Sequence, residues 1–437
     1  MVSTLIQSLA DKNNLREAWK KLKKRPASYG IDQVTIDEFR DNLETEIDEL
    51  GSALKSGRYK PARLRGHPLE KGKNNGRRLD KKEYRILKIP TVRDRVVQKS
   101  IELLIEEDIN KLYKIRDNGV SFAYVKNGGV DKAALQIREY YRVGYSWVYK
   151  ADIRKFFDEI DKAKLLEKIK AALPDQTSMP LIEEFLKLDI ANADEVQQRT
   201  EVEYQYNPMV GVAQGSPLSP MFANVYLSDL DQAALEKDMK MVRYADDIVV
   251  MCKTKQDAIN AHTFIAVELA KIGLVTHPLL VQGDLPEDGH EKHSQVQKYS
   301  GLLFLGLRFT GDKIYPSGDS FDNAIWTARR AAQNTKLTFV KKLVSIDARV
   351  QGWCSSYAFT DYLDEPVKKN DKLLEDVLIK MLRGTGLLVQ SDKTAMQALG
   401  IESYKTRLTR LKNETKNPEK VAKKAKYKRR SPVKKQA

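Results

Sequence analysis

Apolar positions recur at intervals of three and four residues through LREAWKKLKKR and again through TIDEFRDNLETEIDELGSALKSG, so the first sixty residues predict helices separated by a polar turn from Ala27 to Asp32. Thr35 followed by Glu38 predicts a capping box at the second run. From Tyr59 to Asp94 the pattern changes to Lys, Arg, Gly and Asn interleaved with short β-prone runs, which predicts a basic, finger-like ribbon or loop. Helical spacing returns from Asp94 to Ile115. The run from Trp147 to Ile153 is short and apolar and ends on the carboxylate of Asp152, as the edge of a buried strand would. A helix over DKAKLLEKIKAAL, a strand over VEYQY and a Pro-punctuated turn around Gly215 follow. Next comes a helix with Ser219 as N-cap and Pro220 at its first position. MVRYA and IVVMC read as the apolar strands of a β-hairpin whose tip carries Asp246 and Asp247. A glycine-containing strand stretch, YSGLLFLGLRFTGDKIYP, closes the α/β part. From about Phe321 the pattern is helical, and from Lys412 the chain is a basic tail with the composition of a disordered segment.

Composition narrows the function. The 437 residues hold 76 Lys+Arg against 60 Asp+Glu, a formal charge of +16, which implies a polyanionic partner because basic surface releases the counterions of a phosphate backbone. Two cysteines exclude a disulfide framework and a four-thiolate zinc site. No apolar run approaches the ~18 residues of a spanning helix, and the N-terminus lacks the pattern of a secretory signal. A cytoplasmic protein without membrane attachment is the expectation.

The chemistry resides in the acids. Two adjacent aspartates at a hairpin tip are poor ladder residues and, taken alone, make an ordinary solvated turn. Asp152 changes that reading. If its strand neighbours the hairpin, Asp152 and Asp246 converge at one sheet edge, where like charges are tolerable when a cation neutralises them. Hard oxygen donors with open positions suit Mg²⁺, and a pair of such ions serves nucleotidyl transfer.

RILKIPTVRDRVVQ (85–98), ADIRKFFDEID (151–161), AQGSPLSPMFANVYL (213–227), YADDIVVM (244–251) and FLGLRF (304–309) stand in the order and spacing of the motifs of prokaryotic reverse transcriptases, and the chain resembles the group II intron lineage of that family. LREAWKKLKKRPASYGIDQVTIDEF resembles the family's N-terminal extension, and VQGWCSSY its thumb helix. The resemblance implies an α/β palm with an antiparallel sheet in a right-hand polymerase. Its parts would be a helical extension over 1–60, fingers over 61–145, a palm over 146–318 with a polar insertion at about 281–298, a helical thumb over 319–411 and the basic tail over 412–437. It implies RNA-directed DNA polymerase activity with two Mg²⁺ ions, Mn²⁺ being able to substitute.

By position, the resemblance assigns catalysis and metal binding to Asp152, Asp246 and Asp247, with the backbone carbonyl of Ile153 as a further ligand. Phe157 would lie under the incoming sugar and exclude a 2′-hydroxyl; ordinary core packing is its plainer role. Gln214, Arg85 and Lys81 would bind the deoxynucleotide, with Arg78 and Lys82 competing for the role of Lys81. Arg95, Gln98, Gly215, Ser216, Tyr244 and the segment 121–129 would contact template or primer. The partners implied are an RNA template, its DNA product and deoxynucleotides. The thumb-proximal Val-Thr-Gly signature of retrons is missing, the Gln-Gly motif altered in diversity-generating elements is intact, and no Cys/His-rich endonuclease follows the thumb. A solitary defence-associated enzyme copying a structured noncoding RNA, similar to the type 2 RT-only systems, is therefore the favoured setting. A group II intron maturase or an RNA chaperone acting in splicing is the alternative.

Overall fold

Helix Val92–Tyr113 buries Val92, Val96, Ile101, Ile105 and Ile109 along one stripe. Thr91 caps its N-terminus by accepting from the Asp94 N–H, and Lys114 ends it in the left-handed conformation, φ 51°. The N-terminal helices Leu5–Leu9, Lys12–Lys21 and Leu43–Lys55 pack on it, sealed by the Trp19 and Phe39 rings 4.9 Å apart. The expected capping box of Thr35 and Glu38 is present. This is a computed structural model and describes residues 4–22, 29–70, 84–284, 293–362, 364–385 and 394–416. The chain divides into two compact units, Met1–Lys298 and Tyr299–Ala437.

In the first unit, strands β1 (Arg65–Glu70) and β2 (Tyr84–Ile89) form an antiparallel ribbon. The central sheet is built from β3 (Trp147–Ala151), β4 (Lys240–Tyr244), β5 (Asp247–Cys252), β6 (Leu279–Val281) and β7 (Ser294–Lys298), in the order β4-β5-β3-β7-β6. Every pairing is antiparallel except β6 with β7. Helices on one side of the sheet, Lys162–Ala172 and Ser219–Tyr226 among them, share a core with Tyr149, Ala151, Ile248 and Val250.

Three expectations need correction. The stretch read as a polar insertion contains β7, which pairs directly with β3. Its alternation was masked because only Val296 of Ser-Gln-Val-Gln-Lys is apolar, while the small Ser294 is also buried. VEYQY forms no strand. Tyr204 donates its hydroxyl to Asp189 at 2.5 Å and Tyr206 to the Lys187 carbonyl at 2.6 Å, so side chains rather than a ladder fasten this segment. The cap of helix Ser219–Tyr226 is Leu218, one residue earlier than expected, and the Ser219 hydroxyl instead donates to the Ala213 carbonyl at 2.7 Å.

The second unit carries a small antiparallel sheet of β8 (Leu303–Phe304), β9 (Leu307–Thr310) and β10 (Lys313–Pro316), followed by helices Gly318–Ala332, Phe339–Tyr357, Asp364–Arg383, Ala395–Ala398 and Tyr404–Lys416. Trp353 of the VQGWCSSY motif anchors this unit. Its indole N–H donates to the Ser320 carbonyl at 3.0 Å, and its ring lies 4.9 to 5.4 Å from those of Phe321, Tyr357 and Tyr404.

Candidate active site

β3 lies between β5 and β7, and its register with β5 runs from Trp147↔Cys252 to Ala151↔Ile248. One step further, the same register sets Asp152 opposite Asp247. The ladder stops before that step, so both carboxylates stand at the end of the sheet rather than pairing across it. The β4–β5 hairpin closes on the pair Tyr244↔Asp247, leaving Ala245 and Asp246 as a two-residue turn with Ala245 at φ 59°. Asp152 and Asp246 are half-buried and Asp247 is exposed.

The exit from β3 is held by the strand end on its other side. The Asp152 N–H donates to the Ser294 hydroxyl at 3.1 Å, His277 donates to the Asp152 carbonyl at 2.8 Å, and Arg154 donates to the Val275 carbonyl at 2.9 Å. Successive residues of an extended chain point their backbone groups to opposite sides. Since Asp152 and Arg154 bond toward 275–277, the carbonyl of Ile153 faces the β5 side, where the acidic turn lies. The side chain of Ile153 is buried and anchors it.

Phe157 follows Lys155, which takes the left-handed conformation at φ 42° and swings the chain into a short helix, Phe156–Glu159. The Phe157 ring is half-buried, 5.2 Å from the ring of Phe156, and its carbonyl accepts from the Val212 N–H at 2.8 Å. That bond joins the ring to the segment leading into Gln214. The Gln214 carbonyl accepts from the Lys88 N–H of β2 at 2.9 Å. Gly215 has φ 133°, and an added Cβ would lie 2.9 Å from the Lys88 carbonyl oxygen. Glycine is required there by both backbone angle and contact.

Arg85 is exposed on β2. It belongs to the same electrostatic neighbourhood as the acidic turn: the Tyr124 hydroxyl is pushed to higher pKa by burial first, then by Asp246, Tyr244 and Asp247, while Arg85 acts in the opposite sense. Lys81, with Arg78 and Lys82, lies outside the described residues.

Arg95 and Gln98 are not positioned to touch a template, because their side chains are buried, with relative exposures of 6% and 1%. Arg95 donates from Nε to the Thr91 carbonyl at 3.4 Å. Gln98 accepts from the Ser216 hydroxyl at 2.9 Å. The assignment rested on resemblance alone; here Ser216 of the loop 213–218 closes on Gln98, and Arg95 turns back to the cap residue of its own helix. Tyr244 is half-buried, and Ser216 is committed to Gln98 and to the Leu218 N–H.

The apolar reading of MVRYA passed over Arg243, which is fully buried in β4. It pairs with Asp231, donating from Nε to Oδ1 at 2.7 Å, and donates further to Asn224 Oδ1 at 2.9 Å and to the Ala245 carbonyl at 3.0 Å. A charge set within the run Met241–Ala245, whose other members are apolar or aromatic, was the available signal, since a buried charge must find a partner.

Among the described residues no group of three or more His, Cys, Asp or Glu side chains is placed to hold a metal ion. Asp152, Asp246 and Asp247 carry hard oxygen donors, and the β3–β5 register and the β4–β5 turn bring them to one end of the sheet. Such a set fits Mg²⁺, which retains waters and takes substrate phosphates as its remaining ligands.

Residues 71–279 match the family model described as reverse transcriptase (RNA-dependent DNA polymerase). The group II intron-encoded protein LtrA of Lactococcus lactis subsp. cremoris is 29% identical over 221 residues, 50% of this chain and 33% of that protein. Protein YkfC of Escherichia coli is 24% identical over 208 residues, 48% of this chain and 50% of that protein. The chain thus spans half or less of the length of these relatives. A solved structure described as a partial Cas6-RT-Cas1–Cas2 complex is 23% identical and covers 62% of this chain and 42% of that chain at a TM-score of 0.37. The fold class is that of a right-hand polymerase, and the sheet that carries the acids is its palm.

Proposed function

We propose, from the premise that residues 71–279 are a reverse transcriptase domain, that the chain is an RNA-directed DNA polymerase. The observation that carries this reading is the register that brings Asp152 to the end of the sheet beside the Asp246–Asp247 turn. Asp152, Asp246, Asp247 and the Ile153 carbonyl would hold two Mg²⁺ ions, which when bound lower the pKa of a primer 3′-hydroxyl and stabilise the leaving pyrophosphate. Phe157 presents its ring edge where a ribose 2′-hydroxyl would project. Gln214, on a loop tied to β2, orients the nucleotide, and Arg85 supplies a guanidinium fork for the triphosphate. Gly215, Ser216 and Tyr244 form the neighbouring surface for template and primer, and the helical second unit serves as the thumb.

The template we propose is a structured noncoding RNA, and the setting is antiphage defence in the cytoplasm. Support comes from the intact Gln214-Gly215 motif, which sets the chain apart from diversity-generating elements, and from the charge of +16, which favours an RNA partner. No helix among the described residues is long and apolar enough to cross a membrane. A second reading, a maturase or RNA chaperone in intron splicing, is favoured by the similarity to LtrA.

Primer extension on an RNA template tests the first reading. Wild type should incorporate deoxynucleotides in the presence of Mg²⁺, and Asp152→Asn and Asp246→Asn should lose at least ~10³-fold in rate while melting normally. Undiminished synthesis by either variant refutes it. Retention of biological activity by both variants would favour the chaperone reading.

A further inference from the structure

We propose that Arg243 is the positioning residue of the acidic turn: with Asp231 as its counter-charge, its guanidinium holds the Ala245 carbonyl and so fixes the peptide that carries Asp246. The proposal rests on the polymerase reading and names a residue of that same site which does not itself touch substrate.

The restraint on Arg243 is unusually complete. Its backbone N–H donates to the Val120 carbonyl at 2.8 Å, and its carbonyl accepts from Phe122 at 2.9 Å. Its side chain donates to both Asp231 oxygens, to Asn224 and to Ala245. The partners are fixed in turn. Asn224, 2% exposed, donates from Nδ2 to the Ala123 carbonyl at 2.9 Å, and Asp231, 1% exposed, accepts from Asn118 at 3.3 Å. Asn118 Oδ1 accepts from the N–H groups of Val120 and Ser121, each at 2.9 Å. One buried network therefore ties together the segment 118–123, the helices Ser219–Tyr226 and Ser228–Glu236, and the hairpin tip.

Fold stability alone is a poor reason for this arrangement, since a buried ion pair is often replaceable by apolar side chains without loss. What an apolar pair lacks is a donor aimed at Ala245. That residue is a non-glycine at φ 59°, a conformation that persists only where its surroundings impose it. The guanidinium reaches forward two residues to grip the carbonyl of that very peptide. Because Arg243 is paired with Asp231, the unit is neutral and orients the turn without repelling a cation held beyond it.

The test compares full-length wild type with Arg243→Lys and with the double variant Asp231→Leu/Arg243→Met, which removes both charges while keeping volume. Three measurements are made: thermal melting, Mn²⁺ binding by electron paramagnetic resonance without nucleic acid, and primer extension across a Mg²⁺ titration. The expected result is that variants which melt cooperatively bind Mn²⁺ about tenfold or more weakly and need correspondingly more Mg²⁺, with nucleotide KM at saturating Mg²⁺ unchanged. Arg243→Lys keeps the ion pair with Asp231, so it covers the case in which the double variant does not fold. Wild-type Mn²⁺ affinity and Mg²⁺ requirement in a folded variant would overturn the proposal. A wild-type protein that neither binds Mn²⁺ nor extends a primer would instead refute the polymerase reading itself, and the proposal with it.

Discussion

The side-chain carbonyl of Gln98 accepts a hydrogen bond from the Ser216 hydroxyl at 2.9 Å, 118 residues away in the chain. Ser216 Oγ is also the acceptor for the Leu218 N–H at 3.2 Å, so this one contact pins the loop ahead of helix Ser219–Tyr226 to the helix Val92–Tyr113. The loop carries Gln214 and Gly215, and its placement therefore depends on a residue that no nucleic acid needs to touch.

Gln98→Leu removes the acceptor and leaves the Ser216 hydroxyl without its partner in a partly buried site. The expected cost is about 1–3 kcal/mol of stability. Loosening the loop should raise the KM for deoxynucleotides more than it lowers RNA affinity, because Gln98 is only 1% exposed. Melting curves, steady-state extension and filter binding of RNA measure the three quantities. A variant defective chiefly in RNA binding would restore Gln98 as a template contact.

Gly215→Ala tests the opposite side of that loop. The added methyl would meet the Lys88 carbonyl at 2.9 Å with φ at 133°, and neither backbone can yield easily because Lys88 also donates its N–H to Gln214. A loss of about 1–3 kcal/mol is expected from the strained conformation alone. Primer extension should fall with it even at temperatures where the protein remains folded. Wild-type rate and melting would mean that the loop has another conformation available.

Phe157→Val keeps an apolar side chain against Phe156 but withdraws the ring. Discrimination against ribonucleotides should relax by ~10–100-fold, the range that a lost apolar contact with the substrate spans. The ratio of kcat/KM for deoxy- and ribonucleotides on one template is the measurement. An unchanged ratio would leave Phe157 as core packing only.

The helices, the hairpin and the strand of Asp152 were legible in the chain because each has a strong periodicity or a marked end. The capping box at Thr35 was legible for the same reason, since its partners are three residues apart. What escaped was decided by contacts between distant residues. β7 escaped because its pattern has a single apolar member, and its identity as a strand comes from pairing with β3. Gln98 and Arg95 were named as template contacts by resemblance, and their burial depends on segments far away in the chain. Arg243 was hidden among apolar neighbours, and its meaning depends on Asp231, Asn224 and the turn two residues ahead. The acids could be named from their motifs, but their nearness follows from the order β4-β5-β3, which no local pattern encodes.

Lys162 supplies a prediction in pH. Its side chain is 6% exposed, lies over the Tyr206 ring at 5.1 Å, and has an amine pKa pushed down to about 8, first by burial and then by the charge of Lys88. In the unfolded chain the same amine keeps the ordinary value of 10.5. Between these values the unfolded state binds a proton that the folded state has released, so stability should rise with pH from about 8 to about 10. Below pH 8 the folded protein bears the full cost of a buried ammonium held beside a second lysine. Lys162→Met keeps the apolar stem and removes the charge, so it should raise the melting temperature at pH 7 and abolish the rise at alkaline pH. Denaturant unfolding of both proteins at pH 7, 8, 9 and 10 measures the difference. Parallel stability profiles for the two would show that the amine titrates at its normal value, and that the fold pays nothing to bury it.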